Sequence, residues 1–196
     1  MEFAGNGLIF VTGSPGSGKG TLCKKLAAQY EFSHQSVGDM LRQMIASSTA
    51  SDMISDYIPR GQVLPAEVLF EVIKTSLGEL SGKHPFLLDG FPRQLEQATP
   101  VEAEFGSPQI VLFFDCPKEI AEERVLARRV GRPGDDRETF RERYKEFTQL
   151  NPPILTHYAA QDKLIRVCAG IDTSGDVEAS YADLVSALRN ICQRMS

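Results

Sequence analysis

The sequence predicts an α/β fold, a doubly wound sheet of five parallel strands flanked by helices, and three observations predict it. Five short apolar or β-branched runs recur along the chain without the polar alternation of a half-exposed sheet, so they read as strands buried on both faces. Helical patterns separate the runs. A loop dense in glycine joins the first run to the first helix, where a doubly wound sheet carries its site at the carboxyl ends of the strands.

Taken in order, the strands are expected at Leu8 to Val11, Phe32 to Val37, Phe86 to Leu88, Ile110 to Phe114 and Leu164 to Val167. The helices are expected at Gly20 to Gln29, Asp39 to Ala46, Pro65 to Leu77, Gln94 to Phe105, Pro117 to Arg129, Glu138 to Tyr158 and Val177 to Arg194. Two stretches break the rhythm and read as insertions. Residues 38–77 hold helix upon helix with no strand, and Val130 to Arg137 is a loop of Gly, Pro, Asp and Arg between long helices.

Composition bounds the function. A chain of 196 residues suits one domain with a substantial core, and no apolar run approaches the roughly 20 residues of a membrane span. The first seven residues carry no signal peptide, and Cys23, Cys116, Cys168 and Cys192 have neither C-x-x-C nor metal-ligand spacing. Reduced thiols in a cytoplasmic protein are the expectation. A net charge of −5 argues against a general nucleic-acid surface, and no membrane partner is expected. Seven arginines nevertheless crowd the stretch from Arg124 to Arg143, which calls for a local anion.

The loop Gly13-Ser14-Pro15-Gly16-Ser17-Gly18-Lys19-Gly20-Thr21 supplies the first reason for one. Glycines allow a turn whose backbone N–H groups converge on one small volume, the start of the next helix adds its positive end, and Lys19 brings a mobile charge for the β- and γ-phosphates. The fold is therefore of the P-loop NTPase type. At the end of the third run, Asp89-Gly90-Phe91-Pro92-Arg93 places a carboxylate where it can hold Mg²⁺ or its waters, with an arginine four residues on. Ser36-Val37-Gly38-Asp39-Met40-Leu41-Arg42 repeats the design, so that Arg42 and Arg93 offer two forks to one phosphate.

These motifs, together with Gly61-Gln62-Val63-Leu64-Pro65, resemble those of the adenylate kinase family, the nucleoside monophosphate kinases, and in particular its short-lid members. The resemblance implies one kinase domain over residues 1–196, with a core of 1–37, 67–129 and 138–196, an insertion at 38–66 closing over the monophosphate, and a lid at 130–137 closing over ATP. It implies reversible transfer of the γ-phosphoryl group of Mg-ATP to a nucleoside monophosphate. An ionised acceptor phosphate needs no general base, so catalysis reduces to alignment and charge neutralisation.

By the same resemblance Lys19, Arg93, Arg128, Arg132 and Arg143 act on the transferring phosphoryl. Gly13 to Thr21 and Arg124 hold ATP, with Arg124 on its base; Val37, Gly38, Arg42, Val63, Gly90, Arg93, Gln97, Arg132 and Arg143 hold the acceptor; Asp89 meets the metal through water. Arg129, Arg137 and Arg141 read instead as solvated helix residues, and the separated His34, His84 and His157 as structural ones. Between Arg128 and Arg132 the chain is two residues shorter than the short-lid pattern, and Gly134 stands where an aspartate is expected, leaving Asp135 alone.

The acceptor base is read from conflicting residues. Gln97 matches the glutamine that adenylate kinases turn toward adenine, which favours AMP; Val37 lacks the hydroxyl typical of AMP-specific members, and Phe113 to Pro117 resembles the UMP/CMP branch. AMP is the expected acceptor, with UMP/CMP kinase the alternative. A catalytically silent nucleotide-binding protein, or an NTPase with no acceptor, remains a further reading. The family resemblance suggests a monomer.

Overall fold

The computed structural model describes residues 7–78, 85–128, 135–168 and 177–195. Its five strands are β1 (Leu8–Gly13), β2 (Ser33–Ser36), β3 (Phe86–Asp89), β4 (Ile110–Asp115) and β5 (Leu164–Cys168), all parallel in the order β2-β3-β1-β4-β5. The helices are α1 (Lys19–Tyr30), α2 (Val37–Ala46), α3 (Asp52–Tyr57), α4 (Ala66–Gly78), α5 (Ala98–Phe105), α6 (Lys118–Leu126), α7 (Arg137–Ala159) and α8 (Val177–Met195).

Side-chain alternation along the strands divides the core into two layers. Ile9, Val11, Leu87, Leu112, Phe114, Ile165 and Val167 face α1, α6 and α8, packing on Leu22, Cys23, Leu26, Ala121 and Leu184. Leu8, Phe10, Leu88 and Val111 face the other way, onto Leu41, Ile73, Val101, Ile154 and Tyr158. Phe10 is the hub of that second layer. Its ring meets Phe91 edge-on at 4.8 Å and Tyr158 at 6.2 Å, a geometry that aligns positive ring edges with negative ring faces.

Boundaries differ from the sequence expectations where capping decides them. The second strand is shorter at both ends: the Phe32 N–H bonds Ala27 O at the end of α1, and the Ser36 hydroxyl accepts from Asp39 N at 3.3 Å, so Val37 opens α2 instead of closing β2. The expected helix from Gln94 to Phe105 begins as a 3₁₀ turn at Leu95–Gln97 and becomes α-helical only at Ala98. The helix from Pro117 ends at Leu126 rather than Arg129. Asp136 caps α7, accepting from Thr139 N at 2.8 Å, and the helix carries Pro152 and Pro153 inside it. The absent N–H groups of those prolines remove two helical hydrogen bonds just where Asn151 turns its side chain into the core.

Strands β1, β2 and β3 therefore end side by side. Their carboxyl ends release the glycine loop, the start of α2 and the Asp89 turn toward a common volume, which α7 closes from above with Arg143, Glu146, Phe147 and Asn151. No helix among the described residues is long and apolar enough to cross a membrane.

Candidate active site

That volume is a cleft of about 390 Å³. One wall is the glycine loop: Gly13, Pro15, Gly16, Ser17, Gly18, Lys19, Gly20 and Thr21 all line it. Gly16 has φ +80, and a Cβ there would lie against the Ala121 carbonyl, so only glycine lets the loop seat itself on α6. Helix α1 starts from Gly18 with φ 88 and no side-chain cap, which leaves its first N–H groups directed at the cleft. Ser14 is buried and lies outside the lining, and its hydroxyl oxygen is buried without a hydrogen-bond partner.

Lys19 folds back over its own loop. The ammonium donates to Gly13 O at 2.8 Å, Ser14 O at 2.7 Å and Ser17 Oγ at 3.1 Å, so carbonyls occupy the donors that phosphate oxygens would take. Burial pushes its pKa down to about 8 despite the attraction of Asp89, and Arg93 and Arg128 push the same way. An anion in the cleft reverses that balance.

The opposite wall carries the guanidinium groups. Arg42, Arg93, Arg128 and Arg143 all line the cleft, from four different elements or turns. Burial depresses the pKa of Arg93, followed by the field of Arg143, with Arg42 adding to it; Arg143 is depressed by burial and then by Arg42. Arg42, Arg93 and Arg143 repel one another across the cleft. Part of the charge is compensated from within: Arg42 Nη2 meets Asp39 Oδ1 at 2.5 Å, Arg128 Nη1 meets Asp135 Oδ1 at 3.3 Å, and Glu146 lies close enough to Arg93 to hold its proton. The remainder is what a phosphate neutralises.

Asp89 sits between the two walls at the end of β3, buried but lining the cleft, and Gly20 opposite it leaves 3.4 Å between a hypothetical Cβ and Asp89 Oδ2. His34 Nε2 lies 3.3 Å from the same oxygen. A hard carboxylate oxygen at the floor of a phosphate site, with the Thr21 hydroxyl on the same wall, fits Mg²⁺ carried in by a nucleotide.

Not every expected site residue reaches the cleft. Val37, the first residue of α2, is buried, 1% exposed, in the core, and its neighbours Ser36 and Gly38 line the space in its place. Gln97 is equally buried, and both ends of its amide are engaged: Oε1 accepts from Arg93 N at 3.0 Å and Nε2 donates to Leu64 O at 2.8 Å. The two bonds tie the Arg93 turn to the insertion, and Gln97 is not among the residues lining the cleft. Arg124 lies behind the loop, with Nη1 at 3.9 Å from Cys116 Sγ and within 3.8 Å of a Cβ placed on Gly18. Val63 and Gly90 do line the cleft. Arg132 and Gly134 lie outside the described residues, as does most of the expected lid at 130–137. Arg137 pairs with Glu122 at 3.5 Å on the outer surface.

Three cleft residues of α7 have no counterpart in the sequence reading. Glu146 accepts from Val63 N at 3.1 Å and so joins α7 to the insertion. Asn151 Oδ1 accepts from the Thr12 hydroxyl at 3.3 Å, beside the Pro92 carbonyl at 3.2 Å from the same hydroxyl. Phe147 completes that face. Positions 143, 147 and 151 stand four residues apart, so the helical period running on from Arg143 was the signal for them.

A model of the family described as adenylate kinase matches residues 11–163. Uridylate kinase of Saccharomyces cerevisiae is 38% identical over 93% of the chain and 91% of its own length. UMP-CMP kinase of Prunus armeniaca is 41% identical over 83% and 71%, and adenylate kinase 1 of Schistosoma mansoni is 38% identical over 89% and 88%.

Proposed function

This chain belongs to the adenylate kinase family and is an ATP-dependent nucleoside monophosphate kinase, and we propose that its acceptors are UMP and CMP in preference to AMP. The observation that carries the choice is the committed amide of Gln97. Reading adenine takes a group in the cleft that donates to one ring position and accepts from its neighbour, and this amide is 1% exposed, lies outside the cleft lining, and is held there by one bond at each end, from Arg93 N and to Leu64 O. Val37 supplies no hydroxyl in its place. The relatives named uridylate kinase and UMP-CMP kinase support the same reading, against one named adenylate kinase.

In the proposed reaction ATP lies along the glycine loop and the acceptor phosphate between Arg42 and Arg93, end to end across the cleft. Lys19 exchanges its loop carbonyls for phosphate oxygens, Arg143 and Arg128 neutralise charge on the transferring group, and closure of the insertion excludes water. Asp89 and Thr21 would hold the Mg²⁺ that accompanies ATP, which supplies charge neutralisation of the β- and γ-phosphates. The same proposal takes the enzyme as a cytoplasmic monomer, checked by sedimentation and by the position of a fluorescent fusion.

Initial rates with UMP, CMP and AMP at equal ATP and Mg²⁺ test the acceptor. The expected result is a kcat/KM for UMP and CMP at least about tenfold above that for AMP, the size of one lost hydrogen-bonding interaction in a buried site. A kcat/KM for AMP equal to or above the pyrimidine values refutes the choice while leaving the kinase reading intact.

A further inference from the structure

Beneath the phosphate site, on the α1 side of the sheet, Cys23 and His34, two side chains that transfer chemistry does not require, meet Asp89 at one point. Strand alternation brings two of them there. Ser36 pairs with Asp89 and His34 with Leu87, so His34 lies two residues before the strand end on the same face as Asp89. Leu87 belongs to the core layer that holds Leu22, Cys23 and Leu26, which fixes that face as the one toward α1. Helix periodicity brings the third. Gly20 and Cys23 are three residues apart and share a face of α1, with Gly20 over the Asp89 carboxylate and Cys23 one turn deeper.

The ligating atoms of Cys23, His34 and Asp89 all lie within 4.8 Å of one another. Ligand atoms of a tetrahedral Zn²⁺ stand about 3.5 Å apart, as bonds of about 2.0–2.3 Å require, so an inward movement of roughly 1 Å or less per side chain closes the set. One thiolate, one imidazole and one carboxylate form a borderline-soft donor set, unlike the all-oxygen surroundings that Mg²⁺ favours. The side chains of His34 and Asp89 are only 12% and 8% exposed, and Cys23 is fully buried, which shields the group from random metal capture except along one path. That path is the cleft itself. Gly20 has no side chain to cover Asp89, and Asp89 lines the cleft, leaving the fourth coordination position on the cleft side.

We propose that Cys23, His34 and Asp89 form a binding site for Zn²⁺ or a cation of similar softness, entered from the nucleotide cleft, which shares Asp89 with the site of Mg²⁺ and differs from it in the thiolate and imidazole ligands. On binding, the Cys23 thiol gives its proton to solvent, sulfur and the carboxylate bring two negative charges, and neutral His34 donates the Nε2 lone pair, so the dication is balanced within the site. Occupancy withdraws Asp89 from the cleft floor and inhibits phosphoryl transfer. The binding rests on the geometry alone; the inhibition rests in addition on the kinase reading.

The test is a titration of the reduced, nucleotide-free full chain with Cd²⁺, read by the ultraviolet thiolate-to-metal charge-transfer band, with Zn²⁺ as competitor. One equivalent is expected to develop the band and raise the unfolding temperature; Cys23→Ser abolishes both, Cys116→Ser keeps both, and His34→Gln weakens Cd²⁺ at least about tenfold. Absence of the band in the unaltered chain, or a band undiminished in Cys23→Ser, overturns the proposal. Should Cys23→Ser not fold, the same titration of His34→Gln decides, because undiminished affinity there is equally fatal. In a turnover assay Zn²⁺ inhibits the unaltered chain and loses at least about tenfold in potency against Cys23→Ser. Binding without inhibition leaves the site standing and removes its effect on transfer.

Discussion

Nucleotide binding to this chain should take up a proton, and Lys19 is the group that accepts it. With its pKa held down to about 8 in the empty cleft, the ammonium is neutral in about half of the molecules at pH 8, in about a tenth at pH 7 and in about nine-tenths at pH 9. Phosphate oxygens replacing the Gly13 and Ser14 carbonyls return the pKa toward its ordinary value near 10.5, since the nearby charge then outweighs burial. Binding therefore consumes about 0.5 proton per site at pH 8, and affinity falls roughly tenfold between pH 7 and pH 9 as the charged fraction shrinks. Calorimetric titration of Mg-ATP in two buffers of different ionisation enthalpy, at pH 7, 8 and 9, measures the uptake directly, with Lys19→Met as the background. The same shift has an opposite consequence for folding. Because the folded-state value lies below the unfolded one, the unfolded chain binds more protons between pH 8 and 10.5, so this group adds stability to the empty protein as pH rises through that window. Proton release on binding, or uptake of the same size in Lys19→Met, would refute the reasoning.

Three further perturbations probe the other walls of the cleft. Gly61→Ala places a Cβ at φ +75 and 2.8 Å from Cγ and Nε of Arg143; it should cost about 1–2 kcal/mol of stability and, by displacing the guanidinium, about 10²-fold in kcat, both measurable by thermal unfolding and steady-state rates. Glu146→Gln keeps an acceptor for Val63 N but removes the charge that steadies Arg93, so the empty chain should melt lower while inorganic phosphate and the acceptor bind more tightly, by less than about tenfold; weaker phosphate binding would contradict the charge argument. Arg93→Lys retains a cation and loses the planar fork, and kcat/KM for the acceptor should drop on the order of 10²-fold or more with the KM for ATP little changed.

The parts of this molecule legible in the sequence are those encoded by neighbours along the chain. The glycine loop, the Asp89 turn and strands β1, β3, β4 and β5 are each specified within ten residues, and their apolar runs and turn residues place them without knowledge of anything distant, whereas β2 is the polar Ser33–Ser36, its flanking Phe32 and Val37 lying outside the strand. The disagreements fall where a partner far away decides. Gln97 looks like a base-reading amide because its residue type suits adenine, yet it is buried, with one N–H bonded to Leu64 O on the insertion 33 residues earlier and its oxygen accepting from the Arg93 backbone. Glu146 looks like one more exposed charge of a polar helix, and only the approach of Val63, 83 residues away, gives it a task. His34 reads as structural by its isolation in the sequence, and it stays isolated until parallel pairing of β2 with β3 sets it 3.3 Å from Asp89. Motifs report the chemistry that a backbone segment performs by itself, whereas acceptor choice and metal preference depend on which side chains are already engaged elsewhere. The Gln97 amide makes the point testable, since Gln97→Glu keeps the acceptor toward Arg93 N, loses the donor toward Leu64 O, and should loosen the insertion more than it alters the ranking of acceptors.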